Sequence, residues 1–239
     1  MDVVQERVPG IDLSVVVLAY NEEDGLQDVV QRVMDVGDSA DWTYEVVIVD
    51  DCSTDQTPQI ADKLVVDHET VRCVHHSENM GSGGAIKSGV DAAWGERIIY
   101  VPADGQFDVK ELIRFMKAAE LADIVIGARL ERSDYTTFRM ISSHTFLWMV
   151  RLLFGTTFRD VNWVHLWHRK VFEECRPKSE GVFLLEEIIV RATRKKFSFV
   201  EIESQYAPRQ GGQATGGNPL VILRTVKDML ATRWELWGG

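Results

Sequence analysis

Asp104 and Gln106 lie two residues apart in the turn Pro102-Ala-Asp-Gly-Gln-Phe-Asp108, directly after the apolar run Arg97 to Val101. A carboxylate at the carboxyl end of a buried strand sits where open α/β sheets bind ligands. Together the two side chains offer oxygens to a hard divalent cation, which in turn can hold a diphosphate. Other acids follow other apolar runs: Glu22 and Glu23 after Leu13 to Ala19, Asp50 and Asp51 after Glu45 to Val49. Parallel strands would bring all of these acids to one edge, around one crevice. Uncompensated, they would repel, and a cation or the N–H and O–H donors of a ligand would relieve that. The plainer alternative is that each acid favours the dipole of the helix that follows it. Asn79 to Ala85 (NMGSGGA) is a glycine loop opening a helix, suited to cradling phosphate with backbone N–H groups or simply to turning tightly. It is not a P-loop, because no Gly-Lys-Ser/Thr follows. His75-His76 reads as a strand end rather than a metal pair.

Positioning these residues requires strands that end together. Leu13 to Ala19 is a continuous β-branched apolar run, as expected of a strand covered on both faces. Glu45 to Val49, Val71 to Val74, Arg97 to Val101 and Asp123 to Ile126 read as further strands. Helical spacing occupies the intervals, with Leu26, Val29, Val30 and Val33, then Ile60, Leu64 and Val65, then Ile86, Val90 and Trp94 as inward stripes; Lys110 to Glu120 reads as another helix. The repeated β-α pattern predicts an α/β fold with a mostly parallel, doubly wound sheet. The later half is less regular: helices over Ile141 to Phe154 and Val182 to Lys195, a strand over Phe197 to Glu203, a glycine-rich loop over Gly211 to Gly217, and a final helix over Leu220 to Trp237.

Length and composition fit one soluble domain: 239 residues, 45% hydrophobic and 26% charged. The net charge of −11 argues against nucleic acid as a partner. Three cysteines without metal spacing fit a reducing compartment. Met1 to Gly10 lacks the apolar core of a signal peptide, and no run reaches the length of a membrane span, so the expected location is cytoplasmic. Ile141 to Phe154 is apolar nearly all round, which suits full burial, a bilayer surface on the inner face of the membrane, or a homodimer contact. Trp234 and Trp237 suit either a membrane surface or the packing of the last helix onto the core, the latter being the main expectation.

Taken in order, Leu18-Ala-Tyr-Asn-Glu22, Asp50-Asp-Cys-Ser-Thr-Asp-Gln-Thr57, Asn79-Met-Gly-Ser-Gly-Gly84 and Ala103-Asp-Gly-Gln106 resemble the signature of inverting, family-two glycosyltransferases with the GT-A fold, and within them the polyprenyl- or dolichyl-phosphate sugar synthases. Gly127 to Arg129, the Arg139/Ser143 pair, Asp160, Glu187 to Ala192 and Tyr206 to Gly212 are similar to later blocks of that branch, so the likeness covers roughly residues 12 to 215. It implies one glycosyltransferase domain: a nucleotide-sugar-binding half over 11–128, an acceptor half over 129–217 and a C-terminal helix over 218–239. It implies a nucleotide-sugar site at Tyr20, Glu22, Asp50, Asp51, Asn79, Gly81, Ala103 and Asp104, with Mg2+ or Mn2+ on Asp104 and Gln106. Arg129, Arg139, Ser143 and Arg209 would receive an acceptor phosphate, and Asp104, Arg129 and Arg139 would carry the catalysis.

The implied reaction moves a hexose from a nucleoside-diphosphate sugar to a polyprenyl phosphate. A phosphate acceptor is already anionic and needs no general base; an alcohol would need one, and Asp160 is the candidate. Two departures keep alternatives open. Pro102 stands where such proteins commonly carry the first acid of Asp-Ala-Asp, which leaves room for a nucleotide-sugar-binding protein without catalysis. Asp160-Val-Asn-Trp-Val-His-Leu-Trp-His168 replaces the branch's Thr-x-x-Gly-Phe, which leaves room for a soluble small-molecule or glycan acceptor; this segment is expected to line the acceptor pocket.

Overall fold

A computed structural model describes residues 10–129, 137–207 and 219–238. The first half alternates strand and helix as the apolar runs require. β1 (Leu13–Ala19), α1 (Leu26–Asp38), β2 (Tyr44–Asp50), α2 (Thr57–Asp67), β3 (Val71–His75), α3 (Gly81–Ala92) and β4 (Arg97–Pro102) follow one another. A short 3-10 turn (Val109–Glu111) then leads into α4 (Leu112–Ala119) and β5 (Ile124–Arg129). The second half adds α5 (Thr137–Phe154), β6 (His165–His168), α6 (Arg169–Glu174), α7 (Leu184–Arg194), β7 (Phe199–Ser204) and α8 (Pro219–Trp237).

The seven strands form one sheet in the order β3-β2-β1-β4-β6-β5-β7. All neighbours pair in parallel except β6, which runs antiparallel to both β4 and β5. The β6 strand was not expected. Its four residues are too short for a visible alternation, and it is fixed by burial of Leu166 and Trp167 between its neighbours. The segment expected to line an acceptor pocket therefore divides. Asp160 to Val164 reaches the ligand edge, and His165 to His168 fills the middle of the sheet.

Side chains alternate across the sheet, as a two-residue period demands. Val15 and Val17 of β1, with Val46 and Ile48 of β2, pack on one face against α1 and α4 through Leu26, Val30, Leu112 and Phe115. Val16, Val47 and Val49 point the other way, to Ala85, Ile86 and Val90 of α3 and to the layer built by Leu184, Ile188 and Ile189 of α7. A small third cluster, Val150, Phe183 and Met229, joins α5, the approach to α7, and α8.

The amphipathic helices behave as expected, but α5 and α8 do not bury all their apolar residues. Trp148 and Leu152 of α5 are 61% and 66% exposed, and Leu223, Leu230 and Trp234 of α8 are exposed too, Trp234 by 78%. Trp237 does pack, against Phe154, with the Arg194 and Arg233 guanidinium groups over its ring. Trp234 therefore departs from the main expectation of packing onto the core, and Trp237 is itself 42% exposed. Among the described residues, no helix is long and apolar enough to cross a membrane.

Candidate active site

Five parallel strands, β1, β2, β3, β4 and β5, end at the same edge, and β7 joins them there. Their tips carry Tyr20 to Glu22, Asp50 and Asp51, His75 and His76, the turn after Pro102, Arg129, and Gln205 and Tyr206.

At the β1 and β2 tips the backbone is bent into the left-handed region at Asn21 (φ 55°) and Cys52 (φ 63°). Asparagine tolerates that region because its short amide can bond locally. Here the Asn21 Oδ1 accepts from the Thr54 N–H at 2.8 Å, and the Asn21 N–H donates to Ser53 Oγ at 2.9 Å. Glu22 N–H donates to Thr57 Oγ1, and Glu23 accepts from Gln56 N–H. The two turns are thus laced together, with Tyr20 exposed beside them.

Asp50 and Asp51 are both buried, and neither is left uncompensated. Asp50 accepts from Ser53 N–H and meets His75 Nδ1 at 2.9 Å. Asp51 accepts from Met80 N–H and Gly81 N–H, each at 2.8 Å, and meets His76 Nδ1 at 2.7 Å. The expected mutual repulsion of these two acids is therefore relieved inside the protein, by amides and two histidines. Asn79 adds a bond from its amide to the Asp51 carbonyl. Burial lowers the pKa of His75, but the carboxylates of Asp50 and Asp62 outweigh it and leave the ring more basic than usual.

The glycine loop opens α3 at Gly81 (φ +73°). Gly83 faces the next segment: a Cβ there would lie 2.4 Å from the Glu180 carbonyl oxygen and 2.5 Å from that of Gly181. The first turn of α3 and the 180–181 backbone approach closely only because the side chain is missing. That segment is itself fixed by Glu187 of α7, which accepts from Lys178 N–H, Ser179 N–H and the Ser179 hydroxyl and is bound by Arg191. A cavity of about 100 Å³ lies here, bordered by Ser82, Gly83, Tyr100, Asn162 and Gly181.

At the β4 tip, Asp104 accepts from Gln106 N–H at 3.0 Å, with Gly105 between them left-handed (φ +72°). Gln106 Nε2 donates to the Tyr206 hydroxyl at 2.6 Å, and the Gln106 carbonyl accepts from Ala207 N–H. Ala103 sits against the start of α1, where a Cβ on Gly25 would meet its carbonyl at 2.7 Å. Pro102 is the final residue of β4, opposite Leu18. One carboxylate and one carboxamide oxygen form a hard donor set. That set suits a hard divalent cation such as Mg2+ or Mn2+. Among the described residues, no group of three His, Cys, Asp or Glu side chains could hold a metal by itself.

Arg129 at the β5 tip and Asp160 form a buried, two-pronged pair, with Nε to Oδ2 at 2.7 Å and Nη2 to Oδ1 at 3.1 Å. Arg129 Nη2 also donates to the Asn162 carbonyl, and the guanidinium carbon lies 5.0 Å from the centre of the Trp163 ring. Behind the pair lie two fully buried titratable groups, His165 of β6 and Glu186 of α7. None of their side-chain nitrogens or oxygens has a hydrogen-bond partner. Burial pushes the Glu186 carboxyl well above the carboxylate range, with Asp160 adding and Arg129 opposing. Burial also pulls the His165 ring down to about 3. Burial thus favours the neutral form of each. Sequence reading missed both. Two adjacent acids in the first turn of α7 look equally favourable to the helix dipole, and only the rotation of the helix separates buried Glu186 from bonded Glu187.

Beyond Arg129 opens a cleft of about 800 Å³ whose lining includes Arg151, Arg159, Leu147 and Trp148. Ser143 is half-buried on α5, one turn before Leu147. Arg139 lies on the same helix with its side chain outside the described residues, and Arg209 falls outside them altogether.

The chain is 28% identical over 243 residues to Glycosyltransferase AglD of Haloferax volcanii, covering 95% of this chain and 38% of that protein. It is 34% identical over 174 residues to the dolichyl-phosphate beta-glucosyltransferase of Drosophila melanogaster, covering 65% of this chain and 53% of the relative. With the undecaprenyl-phosphate 4-deoxy-4-formamido-L-arabinose transferase of Proteus mirabilis it shares 26% identity, over 84% of this chain and 62% of the relative. The chain thus spans less than two thirds of the length of each of these relatives. Its fold is that of glucosyl-3-phosphoglycerate synthase from Mycobacterium tuberculosis, whose crystal structure in complex with uridine diphosphate superposes with a TM-score of 0.71 at 15% identity, over 94% of this chain and 80% of the synthase. A further structure of that synthase, in complex with Mn2+, UDP and glucosyl-3-phosphoglycerate, superposes at 0.70. Residues 14–173 match Glycosyl transferase family 2, and the chain belongs to that family.

Proposed function

We propose that this chain is the catalytic unit of an inverting glycosyltransferase that moves a hexose from a nucleoside-diphosphate sugar to a polyprenyl phosphate. The observation that carries the acceptor half of this reading is the cleft beside Arg129, whose lining combines Arg129, Arg151 and Arg159 with Leu147 and Trp148. Cations beside an apolar wall suit a phosphate head on a hydrocarbon chain. The dolichyl- and undecaprenyl-phosphate relatives support the same class of acceptor.

In this reading Tyr20, Glu22, Asp50 and Asp51 border the nucleoside. Asn79, Gly81 and Ala103 border the diphosphate, with α3 presenting its first amides. Asp104 and Gln106 would hold Mg2+ or Mn2+, which supplies positive charge against the charge that develops on the leaving diphosphate. Arg129 orients the incoming phosphate, aided by Arg139, Ser143 and Arg209, and attack from the face opposite the diphosphate inverts the anomeric carbon. Asp160 is bonded to Arg129 on both prongs, so its role is to aim that cation rather than to take a proton. A phosphate nucleophile requires no base. The uncovered apolar residues of α5 and α8 give the protein a peripheral contact with the bilayer that holds the lipid.

The test is to incubate the protein with dolichyl or undecaprenyl phosphate, UDP-glucose or GDP-mannose, and MnCl2 or MgCl2, then look for a lipid-linked sugar by mass spectrometry. Sugar found only on a water-soluble acceptor would move the reading to that acceptor. Nucleotide-sugar binding with no release of nucleoside diphosphate would reduce it to a binding protein.

A further inference from the structure

Two consecutive acids at the end of β2 meet two consecutive histidines at the end of β3. The strands run parallel with Asp50 opposite His75, and the His76 N–H donates to the Asp50 carbonyl at 2.9 Å, which carries the ladder one residue further. His75 is the outer member, its ring half-exposed between Asp50 and Asp62. His76 is the inner one, with a side chain only 7% exposed.

The His76 ring uses both nitrogens. Nδ1 is 2.7 Å from Asp51 Oδ1, and Nε2 is 2.8 Å from the Ser88 hydroxyl on α3. A carboxylate only accepts, so Nδ1 carries the hydrogen toward Asp51, and Nε2 pairs with the Ser88 hydroxyl. Asp51 uses the rest of its carboxylate on Met80 N–H and Gly81 N–H. Ser88 lies seven residues after Gly81, two helical turns along the same face. The contacts therefore close a ring: Asp51 to the glycine turn, along α3 to Ser88, through the imidazole and back to Asp51. A turn rich in glycine has many conformations to lose, so it holds a single one only where side chains tie it down.

We infer that His76 is a positioning residue for the nucleotide-sugar site: it clamps Asp51 from behind and so holds the glycine turn in the conformation that aims the first free amides of α3 at the donor diphosphate. The inference rests on the donor site proposed above.

Three substitutions separate the two bonds. His76→Asn keeps a donor near the position of Nδ1, His76→Gln keeps a hydrogen-bonding group for Ser88 near Nε2, and His76→Ala keeps neither. The first readout needs no ligand. Amide hydrogen exchange at Met80 and Gly81 should quicken about tenfold in His76→Ala and His76→Gln, the loss of one bond to a charged group, and stay near wild type in His76→Asn. In the second, titration of UDP and GDP with MnCl2 should show about tenfold weaker binding in the same two variants and rescue in His76→Asn. The donor KM should rise in step, with kcat within about twofold of wild type. Ser88→Ala, which leaves the ring in place, should give a smaller change in the same direction and serves if His76→Ala does not fold. Unchanged exchange in His76→Ala, or equal failure of the Asn and Gln variants, overturns the clamp. Faster exchange with unchanged nucleotide affinity overturns its role in donor binding. A wild-type protein that binds neither nucleotide overturns the proposed function itself, while the exchange data still report on the clamp.

Discussion

Asp104 and Asp160 are both buried carboxylates at the ligand edge, yet their surroundings give them different work. Asp104 bonds within its own turn, beside Gln106, and Asp104→Asn removes the one charge in the proposed cation's donor pair. Turnover should fall by about 10²-fold or more, and the activity that remains should need more Mn2+ for half-saturation. Unchanged metal titration would take Asp104 out of the site. Asp160 is spent on Arg129. Asp160→Asn strands a buried guanidinium, which should cost roughly 3–5 kcal/mol in denaturant unfolding. Glu186 offers a test of opposite sign. Its folded pKa lies above its unfolded one, so its contribution to stability is fully present below about pH 4.3 and is lost as pH rises through the folded value. Glu186→Gln should therefore raise the melting temperature, by more at pH 8 than at pH 5. The same gain at both would mean the carboxyl already ionises in the fold. The position of Asp104 and Gln106 at the strand-tip edge was legible in the sequence because the end of β4 fixes where they must be. Glu186 was not, because one step around a helix decides between solvent, bonds and the core.

Elements of the first half were legible for a related reason. β1, β2 and β4 are long apolar runs covered on both faces, and each is followed by a polar turn that marks its end. β6 gave no such signal, since its His-Leu-Trp-His sequence looks polar at both ends and becomes a strand only when β4 and β5 flank it. The apolar character of α5 was legible, but its destination was not. The same sequence serves a core or a surface, and here it serves both, with Val150 buried and Leu152 exposed. Contacts between elements show where the fold has no slack. Gly83→Ala would drive a methyl group into two backbone carbonyls that cannot rotate away. It should cost about 1–3 kcal/mol of stability and weaken donor binding by shifting α3. An unshifted unfolding midpoint would show that the 180–181 backbone can yield.

For the molecule as a whole, charge and apolar surface point in different directions. A net charge of −11 disfavours anionic lipid, whereas Trp148, Leu152, Leu230 and Trp234 leave apolar area uncovered on the two adjoining helices. Cosedimentation with neutral phosphatidylcholine vesicles should therefore survive 0.5 M salt at roughly its low-salt level, because screening weakens only the charge-driven part. The double substitution Leu230→Ser and Trp234→Ser should reduce it several-fold without altering the circular dichroism spectrum. Binding that vanishes with salt would assign the contact to the arginines instead.

The reversed direction of β6 has a further consequence. Every other strand delivers its site residues as it leaves the sheet, but Asp160, Asn162 and Trp163 arrive on the way in, from the stretch that joins α5 to β6. That stretch can be lengthened, shortened or rewritten while β1 to β4 keep their register. A change there would alter the surface beside Arg129 and leave the tips of β1, β2 and β4 as they are.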